Sequence, residues 1–155
     1  MRRARRTSMS GMGRNEANER VWRRAADSSE LTEPRVLVRV FVDAGDLEET
    51  VRYYERLQET TADMRFPFPE MGLRLAAVGS FLVIAGSARD LRPFRTTSAT
   101  LLVADIRPYY ERLVAEGAEI LFGPREVPTG RAFNARHPDG TVLEYVHHRP
   151  DSHGR

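Results

Sequence analysis

The sequence predicts an α+β fold built from two tandem β-α-β-β-β modules. The pentapeptide Tyr53-Tyr54-Glu55-Arg56-Leu57 returns as Tyr109-Tyr110-Glu111-Arg112-Leu113, 56 residues further on. Each copy follows a β-rich run that ends in an acidic residue. Each is followed by further strand-like runs parted by Pro and Gly. A shared context of this kind marks a duplicated module rather than a chance repeat. The length agrees, since 155 residues suit one domain. Such a chain buries a sizeable core without disulfide or metal staples.

In the first module, Val36, Val38, Val40 and Val42 alternate with Leu37, Arg39, Phe41 and Asp43, the pattern of a strand with two unlike faces. Asp46 is placed to cap a helix running to about Gln58, with Glu48 and Glu49 in its favourable first turn. Leu47, Val51, Tyr54 and Leu57, with Tyr53 at the margin, fall at helical spacing and form its expected core face. Strands are then expected at about 61–66, 73–78 and 81–85, parted by Pro67, Pro69, Gly72 and Gly79-Ser80.

The second module opens with a strand over 99–104 and a helix capped by Asp105. Pro108 sits in the first turns of that helix, where its missing N–H costs little, and Gly117 stops it. Strands fit 119–122, 131–136 and 142–147. Turns are expected at Gly123-Pro124, Pro128 to Gly130 and Pro138-Asp139-Gly140.

Charge and composition exclude several functions. All 24 basic residues are Arg, and the net charge of +2 is unevenly spread. Residues 1–34 carry 8 Arg against 5 acids, whereas residues 35–155 carry 16 against 17. A near-neutral body argues against nucleic acid as the main partner, which needs a basic face. No apolar run approaches the ~18 residues of a membrane span. The absence of Cys excludes a disulfide framework, thiolate zinc sites and a cysteine nucleophile, and fits a reducing compartment. The opening residues lack the apolar stretch of a secretory signal. Their Arg/Ser content resembles either a transit peptide or an upstream start before Met9 or Met12, and the expected location is cytoplasmic.

Residues 1–34 therefore read as an Arg-rich, mostly disordered arm with a short helix over 15–27 that carries Trp22. That helix either docks a partner or lies on its own domain. The domain proper spans 35–148, with modules at about 35–90 and 95–148, and 149–155 form a disordered tail.

The turns and helix ends resemble the vicinal oxygen chelate superfamily, which includes glyoxalase I, extradiol dioxygenases and bleomycin-binding resistance proteins. Gly45-Asp46-Leu47 with Tyr53-Tyr54 looks like the family's helix opening. Tyr110-Glu111-Arg112-Leu113 with Glu116-Gly117-Ala118-Glu119 looks like its helix exit. Gly123-Pro124, Pro128 to Arg131, Phe133, His137-Pro138-Asp139-Gly140 and Glu144 resemble its ending. The resemblance covers roughly residues 35–148. It implies that the strands form a curved, cup-shaped mixed sheet with helices outside, and that the protein is a homodimer.

In metal-dependent relatives, four His or Glu ligands line the cup and hold a divalent ion that polarises a substrate's oxygens. The resemblance places those positions on Arg39, on or next to Ala85, on Ala99 and on Glu144. Such a set cannot chelate a divalent metal, so no cofactor is expected; a divalent metal is the alternative if the strand register differs. His147 and His148 are adjacent on a strand and point to opposite faces, although His148 shares Glu144's parity. His137 falls in a turn and His153 in the tail.

By strand parity, the expected ligand-binding lining is Leu37, Arg39 and Phe41; Phe81, Val83 and Ala85; Thr97, Ala99 and Leu101; and Val142 and Glu144. Phe66 and Phe68 either rim the cup or belong to the core. This is an apolar pocket with few polar groups, the usual make-up of a small-molecule site. The leading expectation is metal-independent binding of a small organic ligand of antibiotic or natural-product type. The alternative is an enzyme of lyase, isomerase or dioxygenase class. It would be either metal-dependent or cofactor-free, with Glu144 as general base and Arg39 holding a developing enolate or carboxylate. A third reading makes the Arg-rich arm an adaptor for nucleic acid or a partner.

Overall fold

The structure is a computed structural model that describes residues 22–23 and 28–149. Its strands are β1 (Trp22–Arg23), β2 (Arg35–Asp43), β3 (Met64–Phe68), β4 (Leu73–Val78), β5 (Phe81–Gly86), β6 (Ala99–Leu102), β7 (Glu119–Val127), β8 (Gly130–Arg136) and β9 (Val142–His148). Three α-helices accompany them: α1 (Leu47–Gln58), α2 (Ala88–Leu91) and α3 (Ile106–Ala115). Both modules thus follow the expected β-α-β-β-β order, with α2 inserted between them.

All strands join one mixed sheet in the order β1-β3-β4-β5-β2-β6-β9-β8-β7. Within each module the first and last strands pair in parallel, β2 with β5 and β6 with β9. The modules meet through antiparallel β2 and β6, with Leu37 opposite Thr100 and Val38 opposite Ala99. The sheet curls into a cup with α1 and α3 on its outer face.

Alternation along the strands sorts the side chains into separate cores. Leu37, Leu75, Leu82, Ile84, Leu102 and Val146 belong to the cup-side cluster. Under α1, Leu47 and Val51 pack on Ala76, Val78, Val83 and Ala85. Under α3, Ile106 packs with Val103, Phe133, Ala135 and Tyr145, and the Phe133 and Tyr145 rings stack with centroids 4.9 Å apart. Asp105 caps α3 as expected, accepting from the Arg107 N–H. Asp46 stands at the N-cap of α1 but accepts no capping bond there. Tyr53 and Leu57, expected on the core face, are more than half exposed, so the apolar packing of α1 comes from Leu47, Val51 and Tyr54.

Two prolines behave differently from expectation. Pro67 lies inside β3, opposite Arg74. It is tolerated because the outer edge of β3 is paired only at Met64 and Arg65, by β1. Gly123-Pro124 does not end a strand; β7 runs on to Val127 with register shifts between Ile120 and Phe122 and between Phe122 and Arg125. Gly123 is required at that irregularity: its φ is +76°, and a Cβ there would lie 2.5 Å from the Ala132 carbonyl oxygen.

The N-terminal boundary also moves. Trp22–Arg23 form a strand instead of the expected helix; the rest of 15–27, the Arg-rich residues 1–14 and the tail 150–155 lie outside the described residues. The domain reaches back to Ser28, which is buried. Its Oγ donates to the Val103 carbonyl at 2.6 Å and accepts from the His148 N–H at 2.9 Å. Arg149, assigned above to the tail, is tied to the domain by its N–H, which donates to the Thr129 carbonyl.

Candidate functional site

The cup holds two adjoining spaces. The inner chamber, about 60 Å³, has walls of Leu37, Phe66, Leu82, Ile84, Leu102 and Val146 with few polar groups, among them Arg39, Thr100, Glu144 and His148. The outer cleft, about 750 Å³, is more polar and includes Glu70, Arg89, Asp90, Thr97, Arg125 and Asn134. Phe68, Phe94, Val127 and Glu144 border both. The outer volume falls in the range of small-molecule sites, roughly 300–1,000 Å³. The inner one has room for a few small-atom groups only.

Arg39 is brought to the chamber by the alternation of β2, and pairing fixes what it meets. Its neighbours in register are Leu82 on one side and, one rung away, Thr100 opposite Leu37. Thr100 in turn lies beside Glu144 in the parallel β6–β9 pair. The three polar side chains form a chain of contacts. Arg39 Nε donates to Thr100 Oγ1 at 3.1 Å, and Thr100 Oγ1 donates to Glu144 Oε1 at 3.1 Å. Arg39 Nη2 lies 3.3 Å from Glu144 Oε1, and Nη1 donates to the Phe94 carbonyl at 3.4 Å. The Arg39 side chain is 4% exposed and that of Glu144 23%. Burial pushes the Arg39 guanidinium below its usual range, while the charge of Glu144 and its hydrogen bond act in the opposite sense.

Asn134 faces Glu144 across the β8–β9 pair and lines the outer cleft. Its Oδ1 is buried without a hydrogen-bond partner, a condition that costs about 1–3 kcal/mol until a donor reaches it. Further out, the Arg125 guanidinium lies 3.8 Å from the centroid of the Phe122 ring.

Leu37, Arg39 and Glu144 line the chamber as parity predicts, and Thr97 lines the outer cleft. Phe66 lines the inner chamber and Phe68 borders both spaces. Phe41 packs beside the cup-side core under the Arg95 guanidinium, and Val142 lines neither space. Five assignments are corrected. Phe81, Val83, Ala85, Ala99 and Leu101 turn to the helix side: Phe81 meets the Tyr54 ring, Val83 and Ala85 pack under α1, Leu101 joins the core under α3, and Ala99 is in register with Val38 on that outer face. The register sets the reason, since Arg39 pairs with Leu82 rather than with Phe81 or Val83. Leu82, Ile84, Thr100 and Leu102 take their places in the chamber.

Phe94 was missed altogether. Its segment begins with Ser87, whose side chain accepts from the Asp90 N–H. Ser87 followed three residues later by an acid is a helix-start signal legible in the sequence. His148 does reach the inner chamber, while His147 bonds to Ser29 and accepts from Arg149 Nε at 3.2 Å. His137 bonds through Nε2 to the Tyr145 hydroxyl.

The donor set does not fit a divalent metal. Of the four positions discussed above, the cup presents a guanidinium, the apolar Ile84 next to Ala85, the hydroxyl of Thr100 next to Ala99, and one carboxylate. No group of three or more metal-ligating side chains occurs among the described residues. The guanidinium, bonded to the sole carboxylate, would repel an incoming cation.

A pair of β-α-β-β-β modules joined by their first strands around a shared cup defines a fold of the vicinal-oxygen-chelate type. The solved structures agree. An uncharacterized protein from Methanosarcina mazei is 46% identical, with 74% of this chain and 91% of that one covered, at a TM-score of 0.67. Methylmalonyl-CoA epimerase from Mycobacterium tuberculosis is 19% identical over 77% of this chain and 93% of its own, at 0.53. A variant of the Streptomyces coelicolor epimerase, in complex with 2-nitronate-propionyl-CoA, is 18% identical over 74% and 97%, at 0.51. No protein-family model and no curated protein matches the sequence. The chain has the vicinal oxygen chelate fold that these epimerases share.

Proposed function

We propose that the protein binds a small organic ligand in its cup without a metal ion. The observation that carries this reading is the Arg39–Thr100–Glu144 cluster, which stands where an apolar chamber of about 60 Å³ opens into a cleft of about 750 Å³. A small head would sit in the chamber, oriented by a few polar groups, with the ligand body in the cleft. The protein acts as a homodimer in the cytoplasm, a location its cysteine-free sequence suits. No helix among the described residues is long and apolar enough to cross a membrane.

Native mass spectrometry of the full chain tests this directly. The expected spectrum is a dimer without metal, carrying an organic adduct that is released on denaturation. About one divalent ion per chain would overturn the metal-free reading.

A second reading, cofactor-free catalysis, draws on Glu144 being reachable from both spaces. Its carboxylate would take a proton from carbon beside a carbonyl polarised by Arg39. Turnover that Glu144→Gln abolishes while ligand affinity survives would favour this reading over simple binding.

A further inference from the structure

The chemistry of the ligand's head group follows from the bonds that the cluster leaves unmade, given the binding reading above. A guanidinium has five N–H donors. Three of Arg39's are directed at Thr100, the Phe94 carbonyl and Glu144. One N–H on each terminal nitrogen has no acceptor among the described residues. Glu144 receives both of its contacts on Oε1, and Oε2 accepts none there. Across the ladder, the buried Asn134 Oδ1 also lacks a donor. Arg39 therefore keeps two spare donors in the chamber, while Glu144, which borders both spaces, and Asn134, which lines the adjoining cleft, each keep an unsatisfied acceptor.

Charge separates the possible ligands. Arg39 and Glu144 neutralise each other, so the cup carries no net charge for an anion to answer. A carboxylate in the chamber would place a second negative charge next to Glu144 in apolar surroundings. It also has no hydrogen to give Glu144 or Asn134. A neutral head with a carbonyl next to an N–H adds no charge, accepts from Arg39 and donates to Glu144 or Asn134. We infer that the cup selects neutral heads in which a carbonyl and an N–H lie side by side, such as lactams, cyclic imides and primary amides. It rejects carboxylates, and Asn134 is the specificity-determining residue that reads the donor.

Three probes of similar size test this on the full chain by protein-observed NMR: δ-valerolactam, N-methyl-valerolactam and valerate. The lactam should shift the chamber resonances of Leu82, Ile84 and Val146 and bind about tenfold more tightly than either analogue, one hydrogen bond's worth. Asn134→Leu should reduce lactam affinity without improving that of the N-methyl analogue. Glu144→Gln, which removes the negative charge, should improve binding of valerate. Valerate or the N-methyl analogue binding the native protein as well as the lactam would overturn the assignment and leave the binding reading standing. If none of the three shifts the chamber resonances and the native spectrum carries no adduct, both fall.

Discussion

A double-mutant cycle on Arg39 and Glu144 measures how strongly the cup isolates its charges. At the 3.3 Å separation between them, attraction at an effective dielectric of 20 is ~5 kcal/mol. Desolvation of both groups offsets most of that. The partners are unequal: the Arg39 side chain is 4% exposed and that of Glu144 23%. Glu144→Leu strands the more deeply buried charge and should cost about 3 kcal/mol, or roughly 10 °C in Tm. Arg39→Met leaves a carboxylate that water can reach, at a cost of about 2 kcal/mol. The double variant loses both charges together and should also cost only about 2 kcal/mol, a coupling of about 3 kcal/mol. Urea denaturation at neutral pH of the four proteins reads all these values. Additive single effects would show that water screens the pair, and the isolation of these charges would then be wrong.

The same fold makes other predictions. Leu82→Ala and Val83→Ala both remove core atoms, the first by about 2–4 kcal/mol and the second by less. Only Leu82→Ala should change probe affinity, because Leu82 lines the chamber and Val83 lies under α1; calorimetric titration separates them. Ser28→Ala leaves the Val103 carbonyl and the His148 N–H without their partner. It should cost about 2 kcal/mol and speed hydrogen exchange at the His148 amide. Asp105→Asn keeps a capping side chain but removes the negative charge at the start of α3 and its ion pair with Arg107, and should cost up to about 1 kcal/mol. Hydrogen bonds from the Arg107 side chain and backbone hold the Asp105 carboxyl down at about 2. Its contribution is therefore complete above the usual carboxylate value of about 4 and is lost as the pH falls toward 2. Acid titration of native and variant proteins should show their stabilities converging across that window.

The element order could be read because the repeated pentapeptide, the caps and the Gly/Pro turns are local signals. The face of each strand is not local where a strand is buried on both sides. Phe81–Gly86 is apolar throughout and nearly all buried, so nothing in it marks which residues turn inward. That choice is made by register against β2, whose interior Arg39 gives the strand a readable polarity. One clue was available in β6: Thr100 is the only polar residue of Ala99–Leu102, and a polar residue in an apolar strand faces the polar partners. Following it would have aligned Arg39, Thr100 and Glu144. The role of Ser28 is not legible in the same way, because it rests on contacts with residues 75 and 120 positions away.

The sheet order sets a sequence of events during synthesis. β7 and β8 pair with each other, but their hairpin reaches the rest of the sheet only through β9. β6 likewise waits for β9 as its parallel partner. As a nascent chain leaves the ribosome, the first module can form all of its strand pairs while the second holds a detached hairpin and an open edge. The last strand of the domain to emerge brings Glu144, joins β6 to the hairpin and supplies the His148 N–H for Ser28. A ribosome stalled before Val142 would thus hold a half-built domain with exposed strand edges, a natural substrate for chaperones.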